Sequence, residues 1–343
     1  MSLSKSLPWT KSPLIINAPM GGFATAKLST AVSQAGGVGL IGDDSNMPAL
    51  ADTLAEVDKA LSRTDAGLLP VGVGLLLFLV RLDEALPLLE KYRPAIVWMF
   101  AAKELAHYAD WAARIRAALP KSQIWIQVGS VHAAMEVAAT AKPDVMCVQG
   151  SDAGGHGYEK GAGFISLLPE ISDALAANGH NGISLVAAGG IVDGRSAAAA
   201  FALGAQGVVM GTRFLSARET NVHPVYQEAL VAASDGGQST RRSKLFDNLR
   251  GPNIWPGAYD GRSILMQSWA DHESGVGIEE IRKRHKEALK DDDKGFNADR
   301  SGRAVMWAGT GVGLVKKVQP AAEIVEEVRS TAAARLKEVA SKL

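Results

Sequence analysis

The chain has 343 residues, enough for one large α/β domain and a smaller part around a sizeable core. Lys plus Arg and Asp plus Glu stand at 36 each, so no global basic field invites nucleic acid, and small molecules are the expected partners. A single cysteine, Cys147, excludes an intramolecular disulfide and a cysteine-cluster metal site, and no apolar run approaches the ~20 residues of a membrane span.

The N-terminus, MSLSKSLPWTK, has no long apolar stretch and does not read as a secretory signal. Eight short apolar runs follow: LIINAPM (14–20), VGLIG (38–42), PVGVGLLL (70–77), AIVWMFA (95–101), QIWIQVG (123–129), VMCVQG (145–150), SLVAAGG (184–190) and GVVMGTRF (207–214). Alanine-rich segments of helical period, such as KLSTAVSQAGG and LAHYADWAARIRAAL, separate them. Near-continuous apolar strands alternating with helices predict a parallel sheet buried on both faces. Eight such units predict an α/β fold of the (β/α)8 TIM-barrel type, with an open doubly wound sheet as the alternative. Cys147, inside its apolar run, reads as a buried, inert thiol.

A helix over 223–234 closes the barrel region, taken as residues 1–234. From 235 to 300 the chain turns polar, with the loop signals SDGGQS and RGPNIWPGAYDGRS, and is expected to form a smaller insertion or lid. The mixed charges of IEEIRKRHKEALKDDD suggest a solvated helix face. Residues 301–343 are expected to return to the barrel through VMWAGTGVGLV and to end in a helix with an apolar stripe at 321, 325, 328, 332, 336 and 339. That stripe packs on the body of the protein or serves a homodimer. The chain ends in Ser341, Lys342 and Leu343, a peroxisomal address read by an import receptor if the source is eukaryotic and without meaning otherwise.

In such a barrel the chemistry sits at the C-terminal ends of the strands. Glycines gather there: APMGG after the first strand, GSDAGGHG after the sixth, AAGG after the seventh and MGT at the eighth. Gly189 and Gly190, with Gly211 and Thr212, bracket the loops where barrels hold phosphate on main-chain N–H groups. APMGG would let a flat ring lie against the backbone, so a phosphate at one side and a ring at the other fit FMN. No G-x-G-x-x-G, GxxxxGK[ST] or GxSxG pattern occurs in the required context. The seven histidines form no metal-ligand spacing, so no metal is expected. His107, His132 and His285 fall in helical stretches and are expected to face solvent; His180 lies in a turn, and His223 caps a helix or lines the cleft. Only His156 falls at the catalytic mouth.

NAPMGG, IQVGS, VQGSDAGGHG, LVAAGGIVDGR and VVMGTRF occur in this order and at barrel spacing. Together they resemble the nitronate monooxygenases, formerly 2-nitropropane dioxygenases, and especially their fungal branch, over residues 12–234. WAGTGVGLV looks like the family's closing glycine motif. FMN-dependent enoyl reductases and NADH:quinone reductases share the barrel and a similar glycine–histidine loop. The resemblance implies an FMN enzyme that oxidises nitronates with O2, the reductases being the alternative. It implies that His156 lies over the flavin as base or substrate anchor. It carries FMN contacts over to Ala18, Pro19, Met20, Gly21, Gln127, Gln149, Gly154, Ala188, Gly189, Gly190, Gly211 and Thr212. Some relatives have lysine where Gln127 stands. The third strand departs from bacterial relatives, which often place asparagine there; Gly74 offers backbone alone. A neutral imidazole, with an unperturbed pKa near ~6.5, suits a general base for a nitroalkane. Gly154 and Gly155 are expected to let it approach bound substrate, Asp152 either orients the loop or caps a turn, and Met20 and Met210 leave room for a short alkyl chain.

Overall fold

The computed structural model describes residues 3–42 and 45–342, so Leu343 of the expected tail signal lies outside the described residues. Strands β1 (Leu14–Asn17), β2 (Leu40–Gly42), β3 (Leu69–Leu76), β4 (Pro94–Phe100), β5 (Gln123–Val128), β6 (Val145–Gln149), β8 (Ser184–Ala188) and β9 (Gly207–Met210) form one parallel sheet. Its order is β1-β9-β8-β6-β5-β4-β3-β2. A parallel bridge from Ile16 to Val38 joins its two ends, giving a (β/α)8 barrel. Asn17 completes that seam. Its wholly buried amide donates to the Leu40 carbonyl at 2.8 Å and accepts from the Leu40 N–H at 3.0 Å, standing in for ladder bonds that the short β2 does not make.

Side chains alternate along each strand, as the pleat requires. Ile16, Trp98, Trp125, Val145, Cys147, Val186 and Val209 fill the interior. Their neighbours Ile15, Val97, Ile124, Ile126, Met146, Leu185 and Val208 pack outward against the helices. Leu3 and Leu7 join the interior cluster from the N-terminal segment. Cys147 is fully buried, and burial holds its thiol well above the usual thiol range.

The last helix, Ala321–Ala340, packs its stripe on the chain's own body, against helices Gly194–Ala202 and Ala26–Gln34. Val325, Val328 and Ala332 are buried and Leu336 is partly so, whereas Val339 is exposed. Arg329 crosses that interface to the carbonyls of Ala35 and Gly36 at 3.2 and 2.8 Å.

Above the barrel mouth lies a second, antiparallel sheet. β7 (Gly155–Tyr158) comes from the loop after β6, and it pairs with β11 (Tyr259–Ile264), which pairs with β10 (Thr240–Ser243). The 235–300 stretch is therefore tied to the glycine loop by main-chain bonds, with Gly261 opposite His156. Residues 305–315 return to the mouth as a bridge to Ser263 and a 3-10 turn, Thr310–Leu314.

Candidate active site

Two contiguous cavities open at the C-terminal ends of the strands, one of ≈ 60 Å³ and one of ≈ 290 Å³. Ala18, Pro19, Gln127, Gln149, Gly154, Gly211 and Thr212 line both. The smaller adds Ala188, Gly189 and Gly190, with Gly309 and Gly311 from the returning segment. The larger adds Met20, Gly21 and His156. Every residue expected at a cofactor or catalytic position thus lines one continuous space.

Six glycines line the smaller cavity beside Trp98, Gln127, Gln149, Ile191 and Val192 among others, and around Gly154, Gly189 and Gly309 its wall is main chain, because the glycine loops interlock. A Cβ on Gly154 would fall 2.3 Å from the Ala308 carbonyl carbon, and one on Gly309 would fall 2.5 Å from the Asp152 oxygen. Gly189, at φ +98°, would place a Cβ 2.6 Å from the Gly150 oxygen. Gly154 is therefore glycine because another backbone touches it, and not to clear a path for the imidazole as its position suggested. Asp152 locks the same junction. Its carbonyl accepts from the Thr310 N–H and its carboxylate from the Thr310 hydroxyl, both at 3.0 Å. It orients the loop. Thr212 adds a third tie, accepting from the Gly309 N–H at 2.9 Å.

Gln127 and Gln149 project inward from β5 and β6. The Gln149 amide donates to the His156 carbonyl at 3.1 Å. The Gln127 amide is buried on the cavity wall and has no hydrogen-bond partner among the described residues. Its polar atoms are not sealed from the cavity, so the amide is open to hydrogen-bond a ligand there. Gly74 is not available for such contact, since a Cβ there would fall 2.4 Å from the Pro19 ring. Its absent side chain makes room for the strand-one loop.

His156 stands on β7 and faces the larger cavity. Its Nε2 lies 2.6 Å from Oδ1 of Asp247, on the short helix Leu245–Asn248. Its ring stacks on Trp255 at 3.6 Å between centroids and 8° between planes, and Trp307 lies against it at 4.7 Å and 56°. Phe23, Leu76, Phe100 and Leu215 complete an apolar wall. Two arginines clamp the loop from behind: Arg262 donates to the Ser151 carbonyl at 3.1 Å, and Arg242 reaches the Ala153 carbonyl at 3.4 Å while paired with Asp260.

Asp247, Trp255 and Trp307 lie where the sequence reads as polar loop or closing motif, and no spacing marks them as neighbours of His156. The available signal was their type: Trp255 is a large aromatic in a stretch expected to be exposed, and Trp307 is one in the closing glycine motif. Two other expectations need correction. His285 does not face solvent; with Ile281 it forms the buried face of helix Ile278–Ala288, and its Nδ1 lies 2.9 Å from the Arg303 carbonyl. Met210 packs outward among the helices and does not line the cavity, because the strand pleat turns it away from Val209 and Gly211. His223 caps its helix, Nδ1 accepting from the Val225 N–H at 3.3 Å.

The family model described as nitronate monooxygenase matches residues 119–330. The nitronate monooxygenase npaC of Metarhizium robertsii is 45% identical, with 100% of this chain and 97% of that protein aligned. The chain belongs to the nitronate monooxygenase family. A second family member, from Neurospora crassa, is 38% identical over 98% of this chain and 93% of its own length. Membership makes the protein an oxidoreductase. Among solved structures, FabK from Thermotoga maritima superposes with a TM-score of 0.77 at 23% identity, covering 99% of this chain and 98% of its own. Nitroalkane oxidase from Streptomyces ansochromogenes does so with 0.73 at 22% identity, covering 95% and 97%. At those identities the likeness is one of fold.

Proposed function

We propose that this family member is an FMN-dependent nitronate monooxygenase, which oxidises alkyl nitronates with O2 to carbonyl compounds and nitrite and accepts neutral nitroalkanes through His156. The observation that carries the reading is the single space that unites glycine loops, a Gln127 amide with no partner among the described residues, and one partly buried imidazole. The residues fit the cofactor by chemistry as well as by position. Ala188, Gly189, Gly190, Gly211 and Thr212 would hold its phosphate on main chain, without side chains in the way. Ala18, Pro19, Met20 and Gly21 would take the ring edge-on to backbone, and Gln127 and Gln149 would offer uncharged hydrogen bonds. Bound there, FMN would supply an electron acceptor for the nitronate and a donor to oxygen.

The chain's own work is binding and proton transfer. Among the described residues no lysine or arginine lines the larger cavity, and Phe23, Leu76, Phe100, Trp255 and Trp307 give it an apolar wall, which suits a short alkyl tail and excludes bulk water from the reacting carbon. His156 removes the proton beside a neutral nitro group; a preformed nitronate needs no such step. The test is His156→Ala. The variant keeps its yellow colour and loses most turnover of neutral nitroethane, roughly a hundredfold or more, with a smaller loss on ethyl nitronate. Equal turnover of nitroethane by variant and parent removes the base assignment. Anaerobic mixing tests the reaction class: bleaching by nitronate supports the oxygenase, whereas rapid bleaching by NADH points to a reductase on the same barrel.

A further inference from the structure

Asp247 is poorly explained by stability. Its carboxylate makes one hydrogen bond among the described residues, Oδ1 accepting from His156 Nε2. Its other oxygen is buried without a partner. The two side chains are only 6% and 15% exposed. A buried carboxylate with an orphaned oxygen weakens a fold relative to an apolar residue of the same shape. What it does accomplish is geometric. The stack on Trp255 fixes the plane of the imidazole, and the bond to Asp247 fixes its rotation within that plane. Accepting at Nε2, the carboxylate also decides which nitrogen carries the proton. Nδ1 has no hydrogen-bond partner among the described residues.

We propose that Asp247 is a positioning residue for proton abstraction, holding His156 protonated on Nε2 so that Nδ1 keeps its lone pair as the base. The inference rests on the reading of His156 as base. In the step, the C–H bond beside the nitro group breaks and its proton passes to Nδ1. The electron pair moves into the nitro group, giving the nitronate, and the carboxylate faces the imidazolium that forms. No oxidant enters. The residue that readies the base comes from the layer over the barrel, together with Trp255, so a barrel without that layer would hold an unoriented histidine.

The test uses the full chain loaded with FMN, comparing Asp247→Asn, Asp247→Ala and His156→Ala with the parent on nitroethane and on preformed ethyl nitronate. An asparagine can donate to Nε2 and so force the wrong tautomer. Both Asp247 variants should lose roughly ten- to a hundredfold in kcat/KM on nitroethane, change less than about threefold on the nitronate, and keep their flavin absorbance. Added formate should restore part of the activity of Asp247→Ala. In protein labelled with ¹⁵N-histidine, the His156 Nδ1 signal should be that of an unprotonated nitrogen and should change in Asp247→Asn. Equal losses on the two substrates, or loss of bound flavin in both variants, would assign Asp247 to the framework and overturn the proposal. So would full nitroethane activity in Asp247→Asn while His156→Ala is inactive, an outcome that leaves the base reading standing. Full activity in His156→Ala removes the base reading, and the role of Asp247 with it.

Discussion

At the barrel rim, Gly154, Gly189 and Gly309 bring backbone against backbone, and at these three positions the cavity wall is main chain. In the layer above, Asp247, Trp255 and Trp307 reach His156 with side chains drawn from three separate segments. The rim depends on the absence of side chains, and the layer on their identity. A fault in the rim should therefore remove a ligand, whereas a fault in the layer should leave the ligand in place and misdirect the chemistry.

The sharpest way to break this contrast is Gly189→Val. The residue sits at φ +98° with the Gly150 oxygen 2.6 Å from any Cβ, so a branched side chain must push the two loops apart. Strain of this kind costs about 1–3 kcal/mol. The variant should purify colourless and melt lower than the parent. A protein as yellow and as stable as the parent would show that the rim tolerates side chains after all. Trp255→Ala should act in the opposite way. It removes the 3.6 Å stack on His156, an interaction worth about 0.5–1.5 kcal/mol, which is about two- to tenfold in rate if all of it bears on the transition state. Flavin content should not change. Loss of flavin from this variant would erase the distinction between rim and layer.

The same contrast explains what could be read from the chain. Backbone-built features follow local rules. The eight apolar runs carry the period of buried strands, and glycines after strands mark the turns of a mouth, so the barrel, the rim and the place of His156 were all legible. The layer is built from β10 and β11, whose segments TRRS and YDGRSI show no apolar alternation. The pairing of β10 with β11, and of β11 with β7, is a tertiary event. Asp247 lies 91 positions from His156, and nothing local to either residue encodes the meeting. Where local signals were misread, geometry was missing. Met210 resembled cavity lining until the pleat turned it outward, and Gly154 resembled a gap for the imidazole until the Ala308 backbone was placed against it. The buried face of the charged helix did leave a trace, in Ile281 and His285 spaced four apart on one side.

That helix gives the smallest effect and extends the comparison to stability. His285 is buried, its Nε2 has no partner, and burial lowers its pKa below 6.5, an effect that the charges of Arg250 and Arg303 reinforce and the bond to the Arg303 carbonyl partly offsets. The unfolded chain therefore takes up a proton near pH 6.5 that the folded chain resists. Stability from this group is fully present above about pH 6.5 and declines as pH falls toward the lower folded value. Because His285 shares the buried face of its helix with Ile281, which clusters with Leu249, Met266 and Val305, the loss should fall on the layer before the barrel. Between pH 7.5 and 5.5, the protection of amides in residues 240–303, relative to the intrinsic exchange rate at each pH, should fall while that of β4 to β6 holds. His285→Asn, which keeps a donor near Nδ1 and does not titrate, should flatten that dependence. If the same amides lose protection equally in variant and parent, the pH sensitivity of the layer has another source. If the barrel strands open in step with it, rim and layer unfold as one unit.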